Sequence, residues 1–508
     1  MSLTWFDGLA FVAFLAVVIV VSIAASRREK DSADYFLAGR SLTWWLIGVS
    51  LIASNISTEH FVGMAGEGFG SVGLAIASYE WIAAVTLVLV AIALLPLFLR
   101  LGIYTMPEFL ERRYGRAARA LMAVYMLIAY AGVAIAAVLY SGAIGLKAIF
   151  GLPLVWGIWL IGLTAGAYTI YGGLKAVVWS DLIQGVGLLL GGALVSILAI
   201  QRLGGLDTFL AAGADRLHVG LPATDPKIPW TALLLGIWIP NLFYWGCNQF
   251  ITQRTLGARS LADGQKGILL AAGIKLLIPF IIVFPGIAAF ALFKDDISTP
   301  DEAYAVLIAN VLPAGLRGLL FAALLGAVMS SLDSMLNSAS TIFTMDLYRQ
   351  HVNPRADGPT LVRVGRIATG VLVLAGCLVG PLPGRFSGVF EYIQMVWGFI
   401  SPGVVAAFLV GFFLRRAPSS AAICAMVLGI PIYGMLLWLM PGTAFLNQMA
   451  ITFCMLVLAM IAITLIAPLP EPVRFERANA VDLRPSRLVW PVGGAIILAT
   501  LGLYVYWW

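Results

Sequence analysis

Apolar runs of about 20 residues alternate with short polar breaks along the whole chain. A run of that length spans the ~30 Å hydrocarbon core of a bilayer as a helix, the one open segment that satisfies its own backbone hydrogen bonds in lipid. Fourteen spans are predicted, over residues 4–24, 44–70, 74–99, 117–149, 153–172, 176–201, 229–250, 266–294, 312–345, 361–380, 389–414, 418–440, 445–468 and 488–507. The first lacks a basic leading region and is followed by Arg27, Arg28 and Lys30, so it reads as an uncleaved span rather than a signal peptide.

Composition points the same way: 61% of residues are apolar, 11% are charged, and the mean hydropathy is +0.97. No polar stretch is long enough to form a soluble domain, so residues 1–508 read as one all-α integral membrane domain. The net charge of +6 comes from basic residues in short loops, where they act as topology signals within a lipid bilayer and not as a nucleic-acid footprint. With the N-terminus outside, 23 of the 31 basic residues, Arg254 and Arg119 among them, fall on the cytoplasmic side, 7 fall outside, and Lys275 is left within a span. A multi-pass protein of the plasma (inner) membrane with both termini outside is the expectation. The four cysteines show no metal or disulfide spacing, and His60, His218 and His351 lie in separate segments, so no enzyme chemistry is expected.

Two of the spans make poor ordinary helices. In one, Ser50, Ser54, Asn55, Ser57, Thr58, Glu59 and His60 precede Gly63, Gly66, Gly68 and Gly70; in the other, Pro240 and Asn241 precede Tyr244, Trp245 and Gly246. They become corresponding first helices if residues 44–201 and 229–414 are two five-span repeats, flanked by an extra span at 4–24 and C-terminal spans at 418–507. Paired interrupted helices mark the midplane site of a transporter, where freed carbonyls and half-helix ends hold substrate and ion. Lys275 near mid-depth and Glu80 on the third span add two ionisable groups at about 2.5–3.5 kcal/mol each, a cost that function explains. A sugar needs donors, acceptors and an aromatic face for its C–H surface, and Asn55, His60, Glu80, Lys275, Gln394, Tyr244 and Trp245 supply all three.

The segments Tyr35-Phe36-Leu37-Ala38-Gly39-Arg40-Ser41, 53–63, Ser78-Tyr79-Glu80-Trp81, 171–181, 241–254, 330–338 and Ser401-Pro402-Gly403 occur in the order seen in a known family. Through them the chain resembles the sodium:solute symporter family, and most the sodium/glucose and sodium/galactose branch. The resemblance implies a LeuT-type 5+5 inverted-repeat core with flanking helices, alternating access, sodium as the coupling ion and a small sugar as substrate. By position it implies sugar contacts at Asn55, His60, Glu80, Asn241, Lys275 and Gln394, an inner gate at Tyr244, and an outer gate at Met64, Tyr79 and Phe390. Sodium would be held by the carbonyls of Ala53, Ile56 and Ala327 with the hydroxyls of Ser330 and Ser331. Asp181 and Asp333, with Ser334, would make a second cation site, Asp333 standing where relatives carry Ser, Thr or Ala. His60 replaces the Gln of the bacterial galactose symporter and Ala83 a neighbouring Ser, which leaves the particular hexose open. A sodium-coupled carrier of inositol, a carboxylate or an amino acid is the alternative, and Glu59 and Glu391 have no assigned role.

Overall fold

The computed structural model describes residues 5–25, 31–57, 59–313, 315–382, 389–478 and 481–508, with the side chains at 25, 59, 148–150 and 389–392 outside that description. Among the described residues regular structure is helical, and strand-like pairing is limited to isolated bridges such as Leu42 with Ala258. Eleven helices among the described residues are long and apolar enough to cross a membrane. Their outer faces carry side chains that water would not tolerate: on α1 (Trp5–Ala25), Trp5, Phe6, Val12 and Val20 are exposed. Such faces are stable against lipid tails.

Eleven differs from the fourteen expected spans for two physical reasons. The first is helix interruption. α2 (Trp44–Asn55) has 12 residues, because Ile56 turns extended at φ −78° and ψ 108°, and the chain coils again only over Glu59–Met64 and Ala65–Phe69. Gly68 in that second piece abuts the Val283 carbonyl, which a Cβ would meet at 2.8 Å, so here the glycine serves close packing as well as helix weakness. After α3 (Ser78–Leu89) comes the second reason: residues 153–172 and 176–201 run together as α4 (Leu154–Arg202). Its 49 residues would extend for roughly 73 Å at about 1.5 Å per residue, far beyond one crossing. Gly173, at φ 51° and ψ −151°, breaks it in two where the backbone of Tyr35 leaves no room for a side chain.

The other interrupted span is α5 (Trp238–Leu242), continued by the wide turn Phe243–Cys247, an extended Asn248 and then α6 (Gln249–Leu256). It is followed by α7 (Leu261–Phe293), α8 (Leu316–Ile342) and α9 (Val389–Phe413). α8 forms the centre of the bundle, since 89% of the apolar stretch that it opens is buried. It packs on α1, α2, α4 and α6. Asp7 of α1 accepts from the backbone N–H groups of Gly315 (2.8 Å) and Gly318 (2.9 Å), capping α8 and fixing the first helix to the core.

Three arginines counted on the cytoplasmic side are buried within the protein. Arg113 donates to the carbonyls of Gly411, Leu414 and Ala417 at the end of α9, and Arg119 pairs with Asp346 at 2.6 Å. Arg254 has no exposed surface at all. A basic residue beside an apolar run reads as a topology signal, yet here each guanidinium finds enough acceptors to be retained inside.

Candidate functional site

α2 stops at Asn55, and the side chain there projects into the gap that the interruption opens. Asn55 Nδ2 donates to Tyr244 Oη at 3.0 Å, and Asn55 Oδ1 accepts from Lys275 Nζ. The Lys275 ammonium also donates to Glu80 Oε2 at 2.5 Å and lies 5.0 Å from the centre of the Trp245 ring. Two interrupted spans, α3 and α7 are thereby joined through one buried cation.

His60 Nδ1 accepts from the Ser57 backbone N–H at 3.4 Å, leaving Nε2 as the proton-bearing nitrogen 3.5 Å from Glu80 Oε1. Glu80 thus holds Lys275 on one oxygen and faces His60 with the other. Asn241 Nδ2 is turned back to the Ile237 carbonyl at 3.0 Å, which leaves its Oδ1 as the group offered to a ligand.

Most of these residues line one cavity. Asn55, His60 and Glu80 provide one polar wall; Asn241, Gln394 and the Tyr244–Trp245 pair provide another. Met64 and Tyr79, expected as an outer gate, line the same space. Lys275 does not line it: fully buried, it stands behind Asn55 and Glu80 and holds them in place. In this arrangement Lys275 bears on the cavity through Asn55 and Glu80. Phe390 and Glu391 lie in the first turn of α9 and Glu59 in the Glu59–Met64 turn, where the side chains fall outside the described residues.

Of the expected sodium ligands, Ser331 reaches the end of α2. Ser331 Oγ donates to the Ser54 carbonyl at 3.1 Å, which brings α8 against the end of α2, and the extended Ile56 turns its carbonyl out of helical register. Ala53 and Ala327 are buried as well. Hydroxyls and freed carbonyls suit a hard monovalent cation, so this oxygen set fits sodium.

Asp181 is where the structure adds most. Its Oδ2 accepts from Ser50 Oγ at 2.5 Å, Ser54 Oγ at 3.0 Å and Arg254 Nη2 at 3.0 Å, while Oδ1 accepts from Ser330 Oγ at 2.5 Å. Arg254 also donates to Ser50, to Ser334 and to the Phe250 carbonyl. Asp333 accepts from Tyr168 Oη and, at 3.0 Å, from Thr169 Oγ1. Asp181, Asp333 and Ser334 therefore fall in one buried polar cluster, but with Asp181 engaged by a guanidinium that sequence reasoning left in a loop. The available signal was the polar run Asn248-Gln249, Thr252-Gln253-Arg254 on a segment too short to span, since polarity at that depth requires interior partners.

Residues 35–429 match the model of the sodium:solute symporter family. The chain is 42% identical to a sodium/glucose cotransporter of Vibrio parahaemolyticus, over 90% of this chain and 90% of that protein. It is 37% identical to sodium/myo-inositol cotransporter 2 of Mus musculus, over 82% of this chain and 67% of that protein. Among solved structures, a Na+-coupled sialic acid symporter in a substrate-bound outward-open state superposes with a TM-score of 0.82 at 24% identity, over 92% of this chain and 99% of that one. At that identity the likeness speaks for the fold, which is the LeuT type.

Proposed function

The chain belongs to the sodium:solute symporter family, and on that premise we propose that it carries a hexose of the glucose or galactose type inward on the sodium gradient. The observation behind this reading is the cavity that joins the Asn55, His60 and Glu80 wall to the face of Trp245. Amides, an imidazole and a carboxylate match hydroxyls that both donate and accept, and the indole matches the C–H face of a pyranose. Similarity to a sodium/glucose cotransporter adds to the case.

Within this reading Asn55, His60, Glu80, Asn241 and Gln394 hold the sugar, with Tyr244 and Trp245 along one side and Lys275 fixing the polar wall. Met64, Tyr79 and Phe390 close the outer side, and Tyr244 closes the inner one. Sodium sits among the carbonyls of Ala53, Ile56 and Ala327 and the hydroxyls of Ser330 and Ser331, and Asp181, Asp333 and Ser334 form a second cation site. Alternating access moves the first repeat, 44–201, against the second, 229–414, in a fourteen-span topology with both termini outside. An inositol, whose ring presents hydroxyls to the same groups, is the second reading, supported by similarity to sodium/myo-inositol cotransporters.

Uptake into proteoliposomes of labelled glucose, galactose, myo-inositol and proline, with and without an inward sodium gradient, tests both. Sodium-driven uptake of a hexose above the others is expected. Preference for inositol would select the second reading, and uptake of proline alone would remove both.

A further inference from the structure

After α10 (Phe445–Ile466) the chain leaves helix at Ala467 and runs irregularly to Arg477 across one end of the bundle. Pro468, Pro470 and Pro472 alternate in this strap, and each fixes its own φ and keeps the residue before it extended. The strap is stiff for that reason. Its backbone is also tied down, since Leu469 N–H donates to the Arg416 carbonyl at 2.8 Å and Val473 N–H to the Arg415 carbonyl at 3.0 Å. The Phe475 ring lies 6.0 Å from Phe109, which stacks on Phe408 of α9 at 4.8 Å.

This pairing sets Arg474 beside Arg415 and Arg416. All three are exposed, and among the described residues none of their guanidiniums has an ion-pair or hydrogen-bond partner. Glu471 and Glu476, the acids of the strap, are exposed as well and pair with none of them. Other exposed arginines are engaged: Arg484 with Asp482 at 3.1 Å and Arg112 with Glu108 at 3.3 Å. Three like charges held together repel one another, and an anion that accepts from several of them removes that cost.

The neighbouring surface says which anion. At the last turns of α9 and α10, which pack on each other, Phe413, Leu465 and Ile466 are 81%, 78% and 84% exposed. A water-soluble anion would match the guanidiniums and leave this apolar rim unused. A phospholipid matches both, with a phosphodiester for the arginines and acyl chains for the rim. The charge count puts this end of the bundle in the cytoplasm, where the leaflet is rich in anionic lipid.

We propose that Arg415, Arg416 and Arg474 form a headgroup site for an anionic phospholipid whose acyl chains lie along Phe413, Leu465 and Ile466. The stiff, anchored strap fixes Arg474 in advance, so little further ordering is needed when the lipid binds. The lipid thereby fastens the strap to α9, the helix that also carries Gln394.

Native mass spectrometry of the purified full chain in detergent, titrated with phosphatidylglycerol or with phosphatidylcholine of the same acyl chains, tests the site. Phosphatidylglycerol is expected to remain bound at concentrations at which phosphatidylcholine does not. Each basic residue near an anionic surface is worth roughly fivefold in binding, so Arg415→Gln, Arg416→Gln and Arg474→Gln together should weaken it by on the order of 100-fold. Arg484→Gln, which removes an arginine already paired with Asp482, should leave it unchanged. Equal retention of the two lipids by the wild type overturns the proposal, and that comparison stands even where the triple variant does not fold. So does a folded triple variant that keeps the lipid, or an Arg484→Gln variant that loses it to the same extent. Binding of glycerol phosphate, the headgroup without its tails, as tight as that of phosphatidylglycerol would also overturn it, because the apolar rim would then have no part.

Discussion

Arg254 and Asp181 face each other inside the bundle at 3.0 Å, both with no exposed side-chain surface. Removing one member of such a pair leaves an uncompensated buried charge, at about 3–5 kcal/mol. Asp181→Asn and Arg254→Gln are each expected to destabilise the protein by that order, read as a lower melting temperature in detergent. The double variant should recover much of the loss, because neither charge is then stranded. Additive destabilisation would show that the two residues act separately.

Lys275 carries a different expectation, since its contacts are to Asn55 and Glu80 in the wall of the proposed sugar site. Lys275→Ala frees Asn55 and Glu80 and leaves the Glu80 carboxylate with only His60 beside it. Sugar uptake should fall at least about 100-fold, the equivalent of about 2.8 kcal/mol. Sodium binding, read by sodium-dependent tryptophan fluorescence, should survive. Transport at the wild-type rate would remove Lys275 from the site.

Ser330 and Ser331 are expected to set the sodium dependence. Removing both hydroxyls by Ser330→Ala with Ser331→Ala should raise the half-activating sodium concentration roughly tenfold, a loss of about 1.4 kcal/mol. Linkage is reciprocal, so apparent sugar affinity at fixed sodium should weaken too. An unchanged sodium activation curve would move the ion elsewhere.

Much of the site was legible because polar side chains are expensive in an apolar span: Asn55, His60, Glu80 and Lys275 stand out on that ground, and the structure gathers them. What remained hidden depends on contacts between distant segments. Tyr168 and Thr169 cost little in a membrane helix, so nothing marked them as partners of Asp333. Arg254 follows an apolar run as a loop charge would, and only the fold brings it to Asp181, 73 residues away. The break at Gly173 was placed well, since its neighbours Tyr171, Gly172 and Lys175 interrupt the hydropathy.

Tyr244 is expected to act chiefly through its ring, which separates two cavities, and less through its hydroxyl, which accepts from Asn55. Tyr244→Phe loses one hydrogen bond, about 0.5–1.5 kcal/mol, and should slow uptake by no more than about tenfold. Tyr244→Ala removes the partition and should impair sodium-coupled accumulation far more, with sugar leaking down its own gradient. Equal accumulation by the two variants would take the ring out of the mechanism.

Asp333 is expected to set how many ions accompany each solute molecule. It is fully buried, and its hydrogen-bond donors, Tyr168 and Thr169, are neutral hydroxyls, whereas Asp181 has Arg254. A buried carboxylate without a cation in contact is costly, and a sodium ion between Asp333 and Ser334 would supply the missing charge. On this argument two sodium ions move per sugar in the wild type, and one in Asp333→Ala. The difference is large enough to measure. One ion crossing about 100 mV contributes about 2.3 kcal/mol and a tenfold gradient adds about 1.4 kcal/mol, which supports accumulation of several hundred-fold. Two ions would support roughly the square of that. Reversal potentials in proteoliposomes count the coupled charge directly, and repeating them at several pH values separates sodium from a proton at the same carboxylate. A ratio of one in the wild type, unchanged by Asp333→Ala, would leave Asp333 as a helix-bridging acceptor for Tyr168 and Thr169 and nothing more.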